Sequence, residues 1–304
     1  MNLLQPGIVL LNKPSGVTSF QALGPIKKKL GTKKLGHSGT LDKFASGLMV
    51  LLTNKATKLV PYLTDMDKVY KARILFGTQT DTLDPEGQVV AQAPLPRSQV
   101  LAKVPQILDS FLGTQDQIPP MYSALHINGK RAYQLARSGK DPEMKPRQIT
   151  IYKLELLDLT NQSMDLVVHC SKGTYIRSLA RDIALAMDSC GHLSELTRTR
   201  VGSIDINKAV DPKDFLPEKD LIIGKAIKSF IPFTETIDLT QDQVAKLVHG
   251  VLVPSLVKSI ETLSQSSFEP IHRVLLLFAS EVVGFVEISD GRVELAWNGA
   301  QGTV

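Results

Sequence analysis

The chain is 304 residues long, 43% hydrophobic and 21% charged, which excludes a disordered or fibrous protein and favours a large domain with a smaller companion. No apolar run approaches the ~18 residues of a spanning helix, the start MNLLQPG lacks the regions of a signal peptide, and two cysteines, Cys170 and Cys190, are too few for a disulfide framework. The net charge of +5 is unevenly spread: residues 1–60 carry nine lysines against one acid, Asp42, whereas residues 235–304 carry four positive and nine negative charges.

A basic amino-terminal part suits a polyanion such as nucleic acid, although a solvated lysine face reads the same way. Residues 7–11, GIVLL, form a short buried strand. Thr18 and Gln21 have capping-box spacing before a helix carrying Phe20, Leu23, Ile26 and Leu30, which Pro25 should kink or shorten. Residues 47–52 read as a strand, and NKATKLVPYL as a short helix capped by Asn54. In VYKARILF, Tyr70, Ala72, Ile74 and Phe76 share one face and Lys71 and Arg73 the other, the alternation of a half-buried strand. DPEG, residues 84–87, places its proline and glycine as a type I turn and leads into a hairpin. Residues 98–112 are amphipathic with helical spacing and stop at Gly113. Residues 119–146, bounded by prolines, leave the core as a polar, basic excursion.

QITIYKLELLDL and MDLVVHC read as paired strands, and GTYIRSLARDIALAM as a helix after a glycine turn. Helices and strands mix without a βαβ rhythm, so the class is α+β. Beyond Pro232 the chain is acidic and strand-rich: HRVLLLFAS is followed by VVGFVEI and RVELAW, joined around SDG, a hairpin signal. A boundary near residue 234 divides the chain into domains of residues 1–233 and 234–304.

The lone acid of the basic segment closes the motif GHSGTLD, residues 36–42. GTKKLGHS nearly matches a phosphate loop, but His37 stands where that loop needs its lysine, and no apolar strand precedes it. A metal site from His37, Asp42 and Asp81 or Asp84 lacks a dense ligand cluster. Two readings of Asp42 stay open on the pattern alone: a turn aspartate satisfying local amides, or a carboxylate nucleophile kept ionised by surrounding cations.

LNKPSGVTS, GHSGTLDKFASGL, KATKL, DKVYKARILFG, TDTLDPEG, QIPPMYSALHINGKRAY, HCSKGTYIRSLARD and GHLSELTRTRVG together resemble, in order, the segments of the TruB family of tRNA pseudouridine synthases, over residues 7–215. The resemblance implies a mainly antiparallel sheet of the pseudouridine synthase type, residues 119–146 as a thumb, and a small PUA-like β domain at the carboxyl end. It also implies isomerisation of uridine 55 in the TΨC stem-loop of tRNA by base flipping, without cofactor or metal. The two cysteines and the composition read as a reduced, cytoplasmic protein, expected to be a monomer. A non-catalytic RNA-binding tRNA chaperone is the alternative.

By the matching positions Asp42 is the nucleophile, attacking the sugar or the ring. Tyr70 lies against the uracil and assists proton removal. Arg177 pairs with Asp42 and lowers its pKa. His37, Tyr175, Leu196 and Lys13 bind substrate. Lys27, Lys28, Lys29, Lys33 and Lys34, with Arg131, Arg137, Lys140 and Lys145 of the excursion, are phosphate candidates. Two positions depart from the family's pattern: Lys43 stands where proline is common, and Thr197 where arginine is.

Overall fold

Continuous apolar runs and alternating ones take different places in one sheet. In the computed structural model, which describes residues 6–96, 103–123, 125–127, 130–132, 144–231, 234–266, 272–289 and 291–298, eleven strands form a mainly antiparallel sheet. They are β1 (Gly7–Lys13), β2 (Leu35–His37), β3 (Ser46–Thr53), β4 (Lys68–Thr80), β5 (Val89–Ala93) and β6 (Gly113–Gln117), then, beyond a ribbon of β7 (His126–Ile127) and β8 (Lys130–Arg131), β9 (Arg147–Leu159), β10 (Ser163–Cys170), β11 (Gly191–Val201), β12 (Ile204–Asp205) and β13 (Ile222–Ile223). The order is β13-β1-β3-β11-β4-β10-β9-β6, with β2 on β3, β5 on β4 and β12 on β11.

Strands β1 and β3 are covered on both faces, which is why their sequences are unbroken apolar runs. One face, with Val9, Leu11, Met49 and Leu51, packs on helix α1 (Ser19–Leu30) through Leu23, Ile26 and Leu30. The other, with Ile8, Leu10, Leu48, Val50 and Leu52, meets Leu275, Leu277, Phe285 and Trp297 of a second sheet. That sheet has β14 (Thr234–Asp238), β15 (Arg273–Phe278), β16 (Glu281–Ser289) and β17 (Arg292–Asn298), and its far side carries a core of its own with Val244, Leu247 and Ile260. The ring of Tyr62 joins the two units, 5.0 Å from Phe285 and beneath the Arg273 guanidinium at 4.7 Å. The boundary expected near residue 234 falls beside residues 232–233, which lie outside the described ones. Strands β4 and β10, beyond the second sheet, alternate in burial as their sequences do.

Several expectations need correction. Helix α1 runs through Pro25: Gln21 and Pro25 both face solvent, so the carbonyl that loses its partner meets water. Its capping box forms, with the Gln21 N–H on Thr18 Oγ1 at 3.1 Å and the Thr18 N–H on Gln21 Oε1 at 2.8 Å. Asn54 is the first residue of a 3₁₀ turn, with Thr53 at the cap position; it sits at φ 52°, accepts a hydrogen bond from Thr32 Oγ1 at 2.6 Å, and the turn passes into helix α2 (Val60–Thr64). The helix expected over residues 98–112 is described as α3 (Val104–Ser110), with residues 98–102 outside the described ones. Half of the excursion, residues 124, 128–129 and 133–143, lies outside them too.

The parallel contact of β3 with β11 sets Gly47 opposite Arg198. A Cβ at Gly47 would lie 2.3 Å from the Arg198 carbonyl oxygen, at φ 110°. Gly47→Ala is therefore expected to cost about 1–3 kcal/mol of stability or more, read from the urea unfolding midpoint.

Candidate active site

A guanidinium buried at the start of a helix organises the site. Helix α4 (Ile176–Ala186) follows a glycine turn, and Gln117 of β6 fixes its entry: Oε1 accepts the Tyr175 N–H at 2.8 Å while Nε2 donates to the Tyr175 carbonyl at 3.0 Å. Arg177, in the first turn, is 5% exposed. Its Nε and Nη2 hold the two oxygens of Asp42 at 3.0 and 3.2 Å, the fork-to-carboxylate pairing that arginine favours. Nη1 reaches Asp84 Oδ2 at 3.2 Å and the Thr82 carbonyl at 2.8 Å, and Nη2 also donates to the Tyr122 carbonyl at 3.0 Å. Arg177 is thus a buried cation between two carboxylates, while Asp182 pairs with Arg181.

The loop carrying Asp42 is pinned on both sides. Ser19 Oγ accepts the Leu41 N–H at 2.9 Å and donates to the Leu41 carbonyl at 2.8 Å. The Lys43 carbonyl accepts from the Gly16 N–H at 2.9 Å and from Lys13 Nζ at 3.3 Å, and Ser15 Oγ donates to the Phe44 carbonyl at 2.5 Å. Gly39, at φ 130°, gives the left-handed step the motif needs, whereas Gly36 does not take one.

Lys13 therefore corrects an expectation. It is fully buried, its Nζ also donates to the Pro14 and Val17 carbonyls at 2.9 and 2.6 Å, and burial lowers its pKa to about 8. It ties the loop rather than a phosphate. Among the other phosphate candidates, Lys29 is tied to the Lys213 and Phe215 carbonyls at 2.9 and 2.7 Å and Lys27 lies over the Phe20 ring. Lys28, Lys33, Lys34 and Lys145 are exposed; Arg137 and Lys140 lie outside the described residues.

Asp42, Arg177, Tyr70, Tyr175 and Leu196 come together around a cavity of about 320 Å³. His37 lies instead on a larger one, about 970 Å³, that shares Asp42 and Arg177 as a wall. Two charged wall residues were missed in the sequence: Lys68 and Arg198. Each follows the inward alternation of its strand, Lys68 two residues before Tyr70 and Arg198 two after Leu196, so a charge on the buried face was the available signal. Arg198 is 2% exposed, with Nε on the Leu48 carbonyl at 2.7 Å and Nη2 on the Gly39 carbonyl at 3.1 Å. Asp84 was read as a turn residue and weighed as a metal ligand, not as a partner of Arg177; its Oδ1 does serve the turn, accepting from Thr82 Oγ1 at 2.6 Å and the Glu86 N–H at 3.0 Å, which leaves Oδ2 for Arg177. Thr197 points away from the cavity to Ser46 Oγ at 2.9 Å. Among the described residues, no three His, Cys, Asp or Glu side chains are grouped to hold a metal ion, and no helix is long and apolar enough to cross a membrane.

The electrostatics also differ from expectation. Burial raises the pKa of Asp42 above the ordinary carboxylate value; Arg177 pulls it down but does not prevail, and Asp84 and Glu86 push it further up. The 39% of its side chain that is open faces the cavities, so substrate entry would strip remaining water from it. Burial likewise raises the Tyr70 phenol, opposed by Arg198, so Tyr70 is a neutral ring at pH 7 and not an ionised base. Burial and Arg198 lower His37.

The comparisons bear on the class of protein that carries this aspartate, its buried arginine and the small cavity on a mainly antiparallel sheet: they find pseudouridylate synthases. A family model described as "TruB family pseudouridylate synthase (N terminal domain)" matches residues 27–176. The tRNA pseudouridine synthase B of Borreliella burgdorferi (strain ZS7) is 41% identical over 253 residues, covering 82% of this chain and 86% of that protein. That of Psychrobacter cryohalolentis is 46% identical over 254 residues, covering 80% and 70%. In fold, a chain of the crystal structure of a Cbf5-Nop10-Gar1 complex matches with a TM-score of 0.65 at 23% identity, over 98% of this chain and 84% of that one. The chain belongs to the TruB family.

The raised pKa of Asp42 has a sign that melting can test. Its charged form is disfavoured in the folded state, so the cost is present at neutral pH and is relieved as pH falls through the raised pKa toward 3.8. Relative to Asp42→Asn, which does not titrate there and forfeits the Arg177 ion pair, wild type is expected to gain thermal midpoint in melts taken from pH 7 down to about pH 4.5.

Proposed function

We propose that the chain isomerises uridine 55 of the tRNA TΨC stem-loop to pseudouridine, with Asp42 as the attacking carboxylate. The observation that carries this reading is the bidentate Arg177 grip on Asp42 at the wall of a nucleoside-scale cavity. In the reaction the bond from uracil N1 to C1′ breaks, C5 bonds to C1′, the C5 proton leaves and N1 gains one. Product and substrate are isomers, so no electron or atom need be supplied from outside.

The cavity suits that chemistry. A detached base has to be turned without escaping, and Tyr70, Leu196 and Tyr175 supply ring and aliphatic surface on which it can turn while water is excluded. Arg177 fixes both Asp42 oxygens, so the carboxylate meets either C1′ or the ring in one orientation. Extruding the uridine from its loop costs a few kcal/mol, which phosphate contacts of the exposed lysines Lys28, Lys33 and Lys34 offset. Recognition then rests on RNA shape and backbone rather than on groove reading. The protein acts as a monomer in the cytoplasm, and the acidic β14–β17 unit, in the place of a PUA-like domain, adds little to backbone affinity.

Incubation with a full tRNA transcript, followed by mapping of pseudouridine, tests the reading. Asp42→Asn is expected to abolish product while holding tRNA affinity within about tenfold; turnover at the wild-type rate in that variant would remove Asp42 from the chemistry. Asp84→Asn removes a carboxylate that holds Arg177, and is expected to lower kcat at saturating tRNA about tenfold to a hundredfold without weakening tRNA binding.

A further inference from the structure

The larger cavity has an unusual charge balance for a place where RNA should pass. Among the described residues that line it, four are carboxylates, Asp42, Asp81, Asp84 and Glu86, and two are cations, Lys43 and Arg177. Arg177 has nothing left to offer, since its Nε, Nη1 and Nη2 are all engaged by Asp42, Asp84 and two backbone carbonyls. Lys43 is different. Its backbone is fixed by Gly16 and Lys13, but its side chain is half exposed and reaches across the cavity mouth to Glu86 Oε1 at 2.9 Å. Both partners are open to solvent, 51% and 42% exposed, so the pair is of the kind worth about 0–1 kcal/mol and is easily exchanged.

The two cavities meet at Asp42, Thr40, Leu41, Ser123 and Arg177. A nucleoside in the smaller one stays attached to a phosphate on each side, and the larger cavity is the continuation along which one flanking phosphate runs. There it faces carboxylates, and Lys43 is the cation able to receive it.

We infer that Lys43 is a phosphate-binding residue for the RNA strand flanking the target uridine, and that Glu86 holds its ammonium in place until that phosphate takes it over. The inference rests on the proposed RNA substrate. It gives the departure at position 43 a physical meaning: a proline there would leave Glu86 facing the strand with no cation beside it. Glu86 keeps the ammonium at the cavity mouth and away from Asp42, at the cost of a repulsion that the strand must displace.

The test is tRNA affinity against potassium chloride concentration for wild type, Lys43→Gln, Lys43→Arg, Glu86→Gln and the Lys43→Gln/Glu86→Gln double variant, with pseudouridine formation measured in parallel. Losing one phosphate contact lowers the slope of log affinity against log salt by about 0.7–1, so between 50 and 200 mM salt Lys43→Gln should lose about threefold to fourfold less affinity than wild type. Lys43→Arg should keep the wild-type slope. Glu86→Gln should bind up to about fivefold tighter at low salt, and less of that gain should survive in the double variant. A wild-type slope in Lys43→Gln, or weaker binding by Glu86→Gln, overturns the inference, as does a fall in kcat at saturating tRNA in both variants with unchanged slopes, which would make the pair a mere brace. Failure of the wild type to bind tRNA sinks the functional reading and the inference together, whereas wild-type activity with an unaltered Lys43→Gln slope sinks the inference alone.

Discussion

A guanidinium cannot sit inside a protein uncompensated, and the fold around Arg177 is largely an answer to that constraint. Its cost is met by two carboxylates and two backbone carbonyls that come from three separate stretches: the Asp42 loop, Thr82 and Asp84 of the turn after β4, and the strand-exit residue Tyr122. Removing a single partner leaves the charge short, so these stretches are held together by one side chain. The same contacts that balance the cation also orient the Asp42 oxygens, so stability and chemistry share their atoms.

The sheet makes that convergence possible. Because β1 and β3 are buried on both faces, they form a rigid half against which the loop of Asp42 can be hung by Ser19, Ser15, Gly16 and Lys13. The other half, β4 and β11, presents inward side chains Lys68, Tyr70, Leu196 and Arg198 toward the cavity. Gly47 is the seam, where the absence of a side chain lets β3 and β11 run close enough to pair in parallel. The second sheet covers the back of the rigid half and contributes no side chain to either cavity among the described residues.

How much of this was legible depended on whether the signal was local. Strands β1, β3, β4, β9 and β10, the capping box of α1 and the α+β class follow from periodicity and turn residues, which operate over a few neighbours. Asp42, Tyr70 and Arg177 stood out through ordered motifs, and the structure brings all three to one cavity. Lys13 misled because a lysine in a glycine-rich loop reads as solvent-facing, while its three carbonyl partners come from a loop crossing about 30 residues further on as well as from its own. The direction of the Asp42 pKa was missed for a related reason: a count of nearby positive charges in the sequence carries no measure of desolvation, which outweighs the guanidinium in contact with it. Asp84 was hidden because one of its oxygens satisfies the turn and the other serves a helix more than ninety positions away in sequence.

The lone acid of the basic segment can now be placed among its neighbours. Of the nine lysines in residues 1–60, Lys13 and Lys29 spend donors on backbone carbonyls, Lys27 lies over a ring and Lys43 pairs with Glu86, so fewer ammonium groups are placed to touch a phosphate than the sequence total, and Lys28, Lys33, Lys34 and Lys58 are exposed. Around Asp42 itself the balance turns negative, with Asp81, Asp84 and Glu86 nearby. On the proposed function, attraction and chemistry are therefore separated in space: long-range steering needs only net charge and falls on the exposed lysines, whereas Asp42 as the attacking carboxylate needs dryness and a fixed partner, which exposed lysines cannot give. A strand drawn in by the first region must pass a second that repels its phosphates. That arrangement favours a substrate whose shape carries the target nucleotide inward over one that merely carries charge.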